Sequence, residues 1–138
     1  MSIHHWLLLA SLCLSGCEAL DEAFDCLDND VPEFRDSTLL PGVLNQVYGD
    51  TIRIGINNDA FDEWYNYRVE LTGELPPGIL FRREQLRLYF EGTPLAVGDF
   101  EFTLRLEVLP GSSRDQEDID SLCRTVEFGN YVIRVSDN

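Results

Sequence analysis

Cysteines are the residues of this chain with the most distinctive chemistry, and they are unevenly spaced. Three of the four lie near the amino terminus, Cys13, Cys17 and Cys26, and the fourth is Cys123. A zinc site is a poor interpretation, because zinc takes four ligands and both histidines precede Cys13. The residues around each cysteine indicate separate roles instead.

The segment before Cys17 predicts a secretory signal. Residues 6–14 are almost wholly apolar and uncharged, and so short a run does not cross a bilayer as a mature helix. Residues 14–17, LSGC, resemble a bacterial lipobox, which implies cleavage before Cys17 and acylation of its thiol. An ordinary signal cut nearby, with Cys17 as a structural cysteine, is the alternative. We expect residues 1–16 to be removed and Cys17 to anchor the chain in a membrane.

Two cysteines remain once these roles are assigned. Cys13 leaves with the signal, and an exported protein reaches a compartment where disulfides persist. We therefore expect Cys26 and Cys123 to pair. In the chain-entropy model, closing a loop of this length is worth about 4 to 5 kcal/mol.

The segment after Cys17 contains neither histidine nor lysine, because all ten basic residues are arginines. Serine and cysteine nucleophiles need a His or Lys base, and Schiff-base chemistry needs an amine. Composition therefore excludes these enzyme classes for the mature chain. A hydrolase that uses two carboxylates stays open by residue type, but we expect a protein that is not an enzyme.

The chain is strongly acidic. All 25 acidic residues follow Cys17, so the formal net charge of −15 belongs to the mature part. This charge argues against nucleic acid and anionic lipid as partners and favours cations or basic proteins. The alternative is that acidity only keeps an exposed protein soluble.

Apolar and polar residues alternate in several segments, as in strands with one buried face. The strand candidates are residues 50–56, 67–71, 86–91, 100–108, 124–128 and 131–135. The last two place their apolar residues on one face only if Gly129 and Asn130 form a bulge. Short strands, Gly and Pro turns and the lack of helical periodicity favour an all-β fold, a single antiparallel β-sandwich.

Three motifs in order resemble a family of immunoglobulin-like domains on bacterial surface proteins, which belongs with the cadherin-like sandwiches. They are LLPGVLNQVYGDTI, GELPPGILF and YFEGTPLAVGDFEFTLRLEV, and the resemblance covers residues 39–136. It implies an Ig-like or cadherin-like β-sandwich whose motifs carry no catalytic residue. Together with the lipobox, it divides the chain into a signal peptide (1–16), a lipidated cysteine with an acidic tether (17–38) and a sandwich domain (39–138).

Two segments depart from the family pattern and are candidate recognition loops. Residues 57–67 contain four aromatics among acids, and residues 109–123 form a long acidic connection. Loops at the ends of such sandwiches are where binding residues concentrate. We take Phe61, Trp64 and Tyr65 as the candidate binding residues. The alternative is that at least two of the four aromatics pack into the core.

Residues 27–34, LDNDVPEF, resemble the calcium-binding linker between cadherin domains, which implies carboxylate ligands. The candidate calcium ligands are Asp28, Asp30, Asp118 and Asp120. Calcium takes six to eight oxygens, so a second acidic cluster must complete the site. Cys26 and Asn29 stand where that linker has acids, and a plain acidic tether is the alternative. No other cofactor is expected.

These patterns predict a non-enzymatic binding or adhesion module held at the bacterial cell envelope by a lipid anchor. Its partner would be another envelope protein or a glycan. Glu18, rather than an aspartate, follows the lipidated cysteine, which favours the outer membrane over the inner one. A structural accessory subunit, which adds an edge strand to a larger assembly, is the alternative.

Overall fold

The computed structural model describes residues 30–111 and 113–137, which form two β-sheets. The strands are β1 (Pro32–Phe34), β2 (Gly42–Val43), β3 (Tyr48–Ile56), β4 (Asn66–Gly73), β5 (Ile79–Glu84), β6 (Arg87–Gly92), β7 (Gly98–Leu109) and β8 (Val126–Ser136). A 3-10 helix covers Asp62–Trp64, and a short α-helix, α1, covers Gln116–Asp120. Within these ranges, no helix is long and apolar enough to span a membrane.

The order of the strands is that of an immunoglobulin-type sandwich. One sheet has the order β1-β3-β6-β5 and the other β2-β8-β7-β4. Neighbouring strands are antiparallel except β2, which pairs with β8 in parallel. The immunoglobulin arrangement has four strands in one sheet and three in the other. Here the first strand is divided between the sheets as β1 and β2, so each sheet has four strands. The predicted all-β fold is confirmed.

Side chains from both sheets meet in one core. The largest fully buried residues, prolines aside, are Phe90, Ile52, Ile54, Ile56, Leu88, Leu104, Leu106 and Ile133. Their alternation along β3 and β7 confirms the period-two pattern of the sequence. Burial of each such side chain contributes about 1.5 to 3 kcal/mol.

Strand β1 lies inside the segment, residues 17–38, that the sequence assigns to the tether. It pairs with the end of β3, and both Val31 and Pro32 are buried. The sandwich therefore begins before residue 39, and this boundary is corrected. A three-residue strand that starts with proline shows no alternation, and only its pairing with β3 reveals it.

Strand β8 is continuous where a bulge was expected. Its pairing with β7 has no interruption, so the predicted bulge at Gly129 and Asn130 is wrong. Because side chains alternate along an unbroken strand, Tyr131 faces the core while Phe128 faces outward and is 60% exposed. Gly129 takes an inward position, where a Cβ would lie 3.0 Å from the Phe34 ring. Continuous pairing and the packing of Phe34 over a glycine explain the difference.

The turn formed by residues 76–78 brings two glycines into backbone contact. Gly78 and Gly92 have φ angles of +91° and +147°, and a Cβ on Gly92 would lie 2.0 Å from the Gly78 carbonyl oxygen. The turn delivers Ile79 to the core, as its sequence predicted. Both the positive φ and the close approach exclude larger residues at position 92.

Replacing Gly92 by alanine tests this contact. Gly92→Ala is expected to lower the free energy of unfolding by about 3 kcal/mol or more, since strained backbone and overpacking each cost about 1 to 3 kcal/mol. Gly49→Ala is the matched control, because Gly49 lies on β3 where an added Cβ would have no atom within 4 Å. It should change stability by less than about 1 kcal/mol. Urea unfolding measures both, and equal losses would contradict the role of Gly92.

Candidate functional site

The two segments that depart from the family pattern lie at the same end of the sandwich. Residues 57–65 connect β3 to β4, and residues 110–125 connect β7 to β8. Since β4 and β7 are antiparallel neighbours, the start of one adjoins the end of the other. The side-chain amide of Asn66 donates a hydrogen bond of 2.8 Å to the Pro110 carbonyl. The fold thus brings both predicted loops together.

Arg114 links the two loops. Its guanidinium lies 3.3 Å from the Asp59 carboxylate and 3.3 Å from that of Asp118. It also lies over the rings of Trp64 and Tyr65, at 5.6 and 5.2 Å from their centroids. Burial opposes its charge, but Tyr65, Asp59 and Asp118 together raise the pKa of Arg114. Arg114 is therefore a fixed cation that holds the loops in one arrangement.

Phe61 and Trp64 form an exposed pair of rings, which we call the aromatic patch. Their centroids are 4.6 Å apart and their planes differ by 24°, so the rings are stacked. Their exposed fractions are 49% and 43%. Asp59 accepts a hydrogen bond of 2.7 Å from the Phe61 amide, which fixes the loop just before the patch. Two large rings in a fixed arrangement offer apolar area to a partner at little entropic cost.

Tyr65 does not belong to the exposed surface, which corrects its prediction as a binding residue. Tyr65 and Tyr67 are both 6% exposed, so at least two of the four aromatics pack into the core, as the alternative held. These residues alternate inward across the start of β4 at Asn66. Burial is the largest cause that raises the pKa of both hydroxyls.

A partly buried ion pair anchors the 3-10 helix that carries Trp64. The Asp62 carboxylate is 2.6 Å from the Arg35 guanidinium, and the Tyr67 hydroxyl donates a hydrogen bond of 2.6 Å to the Asp62 carbonyl. Burial raises the pKa of Asp62, and Arg35 opposes this. The pair ties the 3-10 helix to the residue after β1. The sequence did not reveal it, because one aspartate in an acidic loop carries no signal of burial.

The loop that carries the aromatic patch and the loop beside it are both acidic. Residues 57–65 and 109–124 together carry seven acidic side chains and two arginines. Helix α1 is held by a capping box in which Asp115 accepts from the backbone of Glu117 and Asp118, and Asp118 accepts from that of Asp115. The two loops therefore have a net negative formal charge, and we call their acidic residues the rim of the patch.

The candidate calcium ligands that the structure describes have other partners. Asp118 binds Arg114, and Asp120 accepts a hydrogen bond of 2.8 Å from the Gln116 side chain. In residues 30–111 and 113–137, no group of three or more His, Cys, Asp or Glu side chains could hold a metal ion. Asp28 lies outside those residues, so calcium binding stays a prediction.

Cys123 lies beside the start of the described chain. Its amide donates a hydrogen bond of 3.0 Å to the Asp30 carbonyl, and its sulfur is in a disulfide bond. It is the one cysteine among the described residues, and residues 1–16, Cys17 and Cys26 lie outside them. The pairing with Cys26 and the lipidation of Cys17 therefore stay predictions. The contact with Asp30 favours that pairing, since Cys26 is only four residues away in the sequence.

Comparison with known proteins yields similarity in fold only. No protein-family model and no curated protein matches the chain. Among solved structures, the endo-fucoidan hydrolase MfFcnA4 from glycoside hydrolase family 107 is 18% identical, with a TM-score of 0.47 over 79% of this chain and 14% of that one. Titin domain M7 is 6% identical, with a TM-score of 0.46; the match covers 78% of this chain and 95% of the titin domain. Domains 4 and 5 of the S-layer protein SbsC are 12% identical, with a TM-score of 0.41; the match covers 75% of this chain and 53% of the SbsC chain.

The protein class is accordingly set by the order of its strands. The chain spans about one seventh of the hydrolase's length. The hydrolase activity is therefore a property of that enzyme and is not assigned to this chain. Two sheets with the strand order described above define an immunoglobulin-like β-sandwich domain.

Proposed function

We propose that this protein is a non-enzymatic binding module of the bacterial cell envelope, anchored through acylated Cys17, which binds a basic partner protein through the aromatic patch. The observation that carries the proposal is the exposed, stacked pair of Phe61 and Trp64. Arg114 lies over the Trp64 ring, and the ion pair of Asp62 with Arg35 anchors the 3-10 helix that carries Trp64. Such rigid exposed aromatics are typical anchors of protein interfaces.

The chemistry around the aromatic patch favours a basic partner. Arginine or lysine side chains bind aromatic faces through cation–π interactions worth about 0.5 to 2 kcal/mol, and the acidic rim attracts the same groups. The formal charge of −15 also accelerates encounter with a basic surface. A neutral glycan would stack on the rings but would gain nothing from the acidic rim. A basic protein would interact with both, and we therefore favour it as the partner.

The position of the anchor favours a partner close to the membrane. The described chain begins at Asp30, beside Cys123 and at the same end as the aromatic patch. Residues 18–29 would then join the domain to the lipidated Cys17, and twelve residues span at most about 40 Å. The end of the domain that carries the aromatic patch would therefore stay near the membrane surface, where another envelope protein is its natural partner.

Removing the aromatic patch should abolish partner binding without unfolding the protein. We expect the amount of partner captured by the double variant Phe61→Ala/Trp64→Ala to fall at least about tenfold, since aromatic hot spots are worth about 2 kcal/mol or more. Membrane attachment should not change. In-cell crosslinking of the tagged protein followed by quantitative mass spectrometry measures the capture.

The matched control is Leu80→Ala/Leu95→Ala, which removes two exposed apolar side chains from the opposite end. It should leave the capture unchanged. Higher salt should weaken binding, because the rim and the partner carry opposite charges. Undiminished capture by the aromatic-patch variant, or a partner that is a polysaccharide bound equally well at high salt, would contradict the proposal.

A further inference from the structure

One edge of β8 is open along most of its length. β8 lies between β7 and β2, but β2 pairs only with Val135 and Ser136. Among residues 30–111 and 113–137, no strand covers the remainder of this edge. The backbone there has unused capacity to pair with another strand.

Two hydrogen bonds show which backbone groups face the open edge. The Val108 amide donates to the Thr125 carbonyl at 2.9 Å, and the Leu44 amide donates to the Ser136 carbonyl at 2.8 Å. Because backbone groups alternate sides along an antiparallel strand, odd-numbered residues of β8 pair with β7 and even-numbered residues face away. Past Val126, at the start of the strand, the even-numbered residues beyond the reach of β2 are Phe128, Asn130 and Val132. Their outward N–H and C=O groups have no partner in the described part of the chain.

The open edge borders a groove. A cavity of about 430 Å³ lies between β1 and the first half of β8, and one of about 660 Å³ continues toward residues 37–39. The two cavities share Ser37, Asn130 and Tyr131 in their walls, so they join in one groove. The larger one also extends over β7 and β4, where Glu101 and Thr72 line it. A peptide that approaches this edge therefore meets open space instead of packed side chains.

The other outer edges carry charged side chains in the middle of the strand, and the open part of β8 does not. β4 carries Arg68 and Glu70, and β5 carries Arg82 and Arg83. Charged side chains on an edge strand oppose pairing with another chain. β8 carries Glu127 and Arg134, but the six residues between them are uncharged, and Phe128 is 60% exposed. The open edge of β8 is thus the best suited of the three to accept a strand.

We propose that an extended segment of a second protein adds to β8 as a further strand. It pairs with the backbone of Phe128, Asn130 and Val132 and covers the Phe128 ring with an apolar side chain. The segment is basic, because the chain carries a formal charge of −15 and a second copy would bring the same charge to the contact. This strand-addition site uses residues other than the aromatic patch, so it stands independently of the proposed function.

The test begins with a photo-crosslinker, benzoylphenylalanine, in place of Phe128 in the full chain produced in its own cells. The crosslinked segment of the partner is sequenced by mass spectrometry and synthesised as a peptide. Its affinity is then measured by calorimetry for the wild-type protein, for Asn130→Pro and for the control Asn130→Ala. Asn130→Pro removes one outward N–H and obstructs the added strand, so affinity should fall about tenfold or more.

The control separates the backbone from the side chain. Asn130→Ala loses only the side-chain hydrogen bond from Thr103, of 2.8 Å, and should retain the wild-type affinity. If Asn130→Pro does not fold, N-methylated peptides replace it. Methyl groups on the peptide amides that face β8 should abolish binding, whereas methyl groups on the alternate amides should not.

Several results would overturn the proposal. In the affinity measurement, these are equal affinity of the peptide for Asn130→Pro and the wild type, or equal loss of binding with both sets of N-methyl groups. In the crosslinking experiment, they are a crosslink to a second copy or to residues 18–29, or no crosslink from a folded protein. Loss of the partner in the Phe61→Ala/Trp64→Ala variant but not in Asn130→Pro would support the aromatic patch and reject strand addition. The opposite result would support strand addition by a partner that does not use the aromatic patch.

Discussion

Cys17→Ser is expected to abolish incorporation of fatty acid and to move the processed protein from the membrane fraction to the soluble fraction. Each buried methylene of an acyl chain contributes about 0.8 kcal/mol, so two or three long chains hold a protein on a membrane essentially permanently. Labelling with an alkyne fatty acid, followed by fractionation and mass analysis of the intact chain, measures both effects.

Cys13→Ser is the control, because Cys13 lies in the predicted signal, residues 1–16, and should be absent from the mature protein. Its labelling and its fractionation should equal those of the wild type. A Cys17→Ser chain of mature length that still carries fatty acid would show that the lipobox assignment is wrong. The aromatic patch and the open edge of β8 would keep their geometry in either case, since neither depends on Cys17.

Cys26→Ser is expected to lower the free energy of unfolding by about 4 to 5 kcal/mol and to leave the anchor intact. The predicted bond closes a loop that spans nearly the whole mature chain, so its loss frees the unfolded state more than a short loop would. Such a loss is a large part of the roughly 5 to 15 kcal/mol that stabilises a typical domain. Urea unfolding under non-reducing conditions measures it.

The double variant gives the sharper test of this disulfide. Cys123→Ser should cost the same as Cys26→Ser, and Cys26→Ser/Cys123→Ser should cost little more than either one, because all three lose a single bond. Reduction of the wild type should produce the same loss. Additive losses, or an unchanged free energy of unfolding in Cys26→Ser, would show that Cys123 pairs with another cysteine.

Features that depend on near neighbours in the sequence were predictable. The alternation in β3 and β7 identified buried residues such as Ile54 and Leu104, because side chains of a strand point to opposite faces in turn. The prolines before Gly78 predicted the turn that delivers Ile79 to the core. The two unusual loops could also be identified, since composition alone marks them.

Features that depend on distant contacts were not predictable. Phe61, Trp64 and Tyr65 look alike in the sequence, and burial decides that only the first two are exposed. Arg114 gave no signal, because its partner Asp59 is 55 residues away. The exposure of Phe128 depends on unbroken pairing with β7. Each outcome is set by which surfaces the two sheets and their loops bring together.

Charge, composition and the alternation of apolar and polar residues can be read directly from the sequence. They were enough to predict an acidic β protein whose basic residues are all arginines, with motifs for signal processing and a disulfide. Three features emerged only when the chain was folded: both unusual loops lie at one end, Arg114 joins them beside an exposed aromatic pair, and β8 keeps an open edge. Hydrogen bonds between strands and packing between sheets connect residues far apart in the chain, and no local pattern records those contacts.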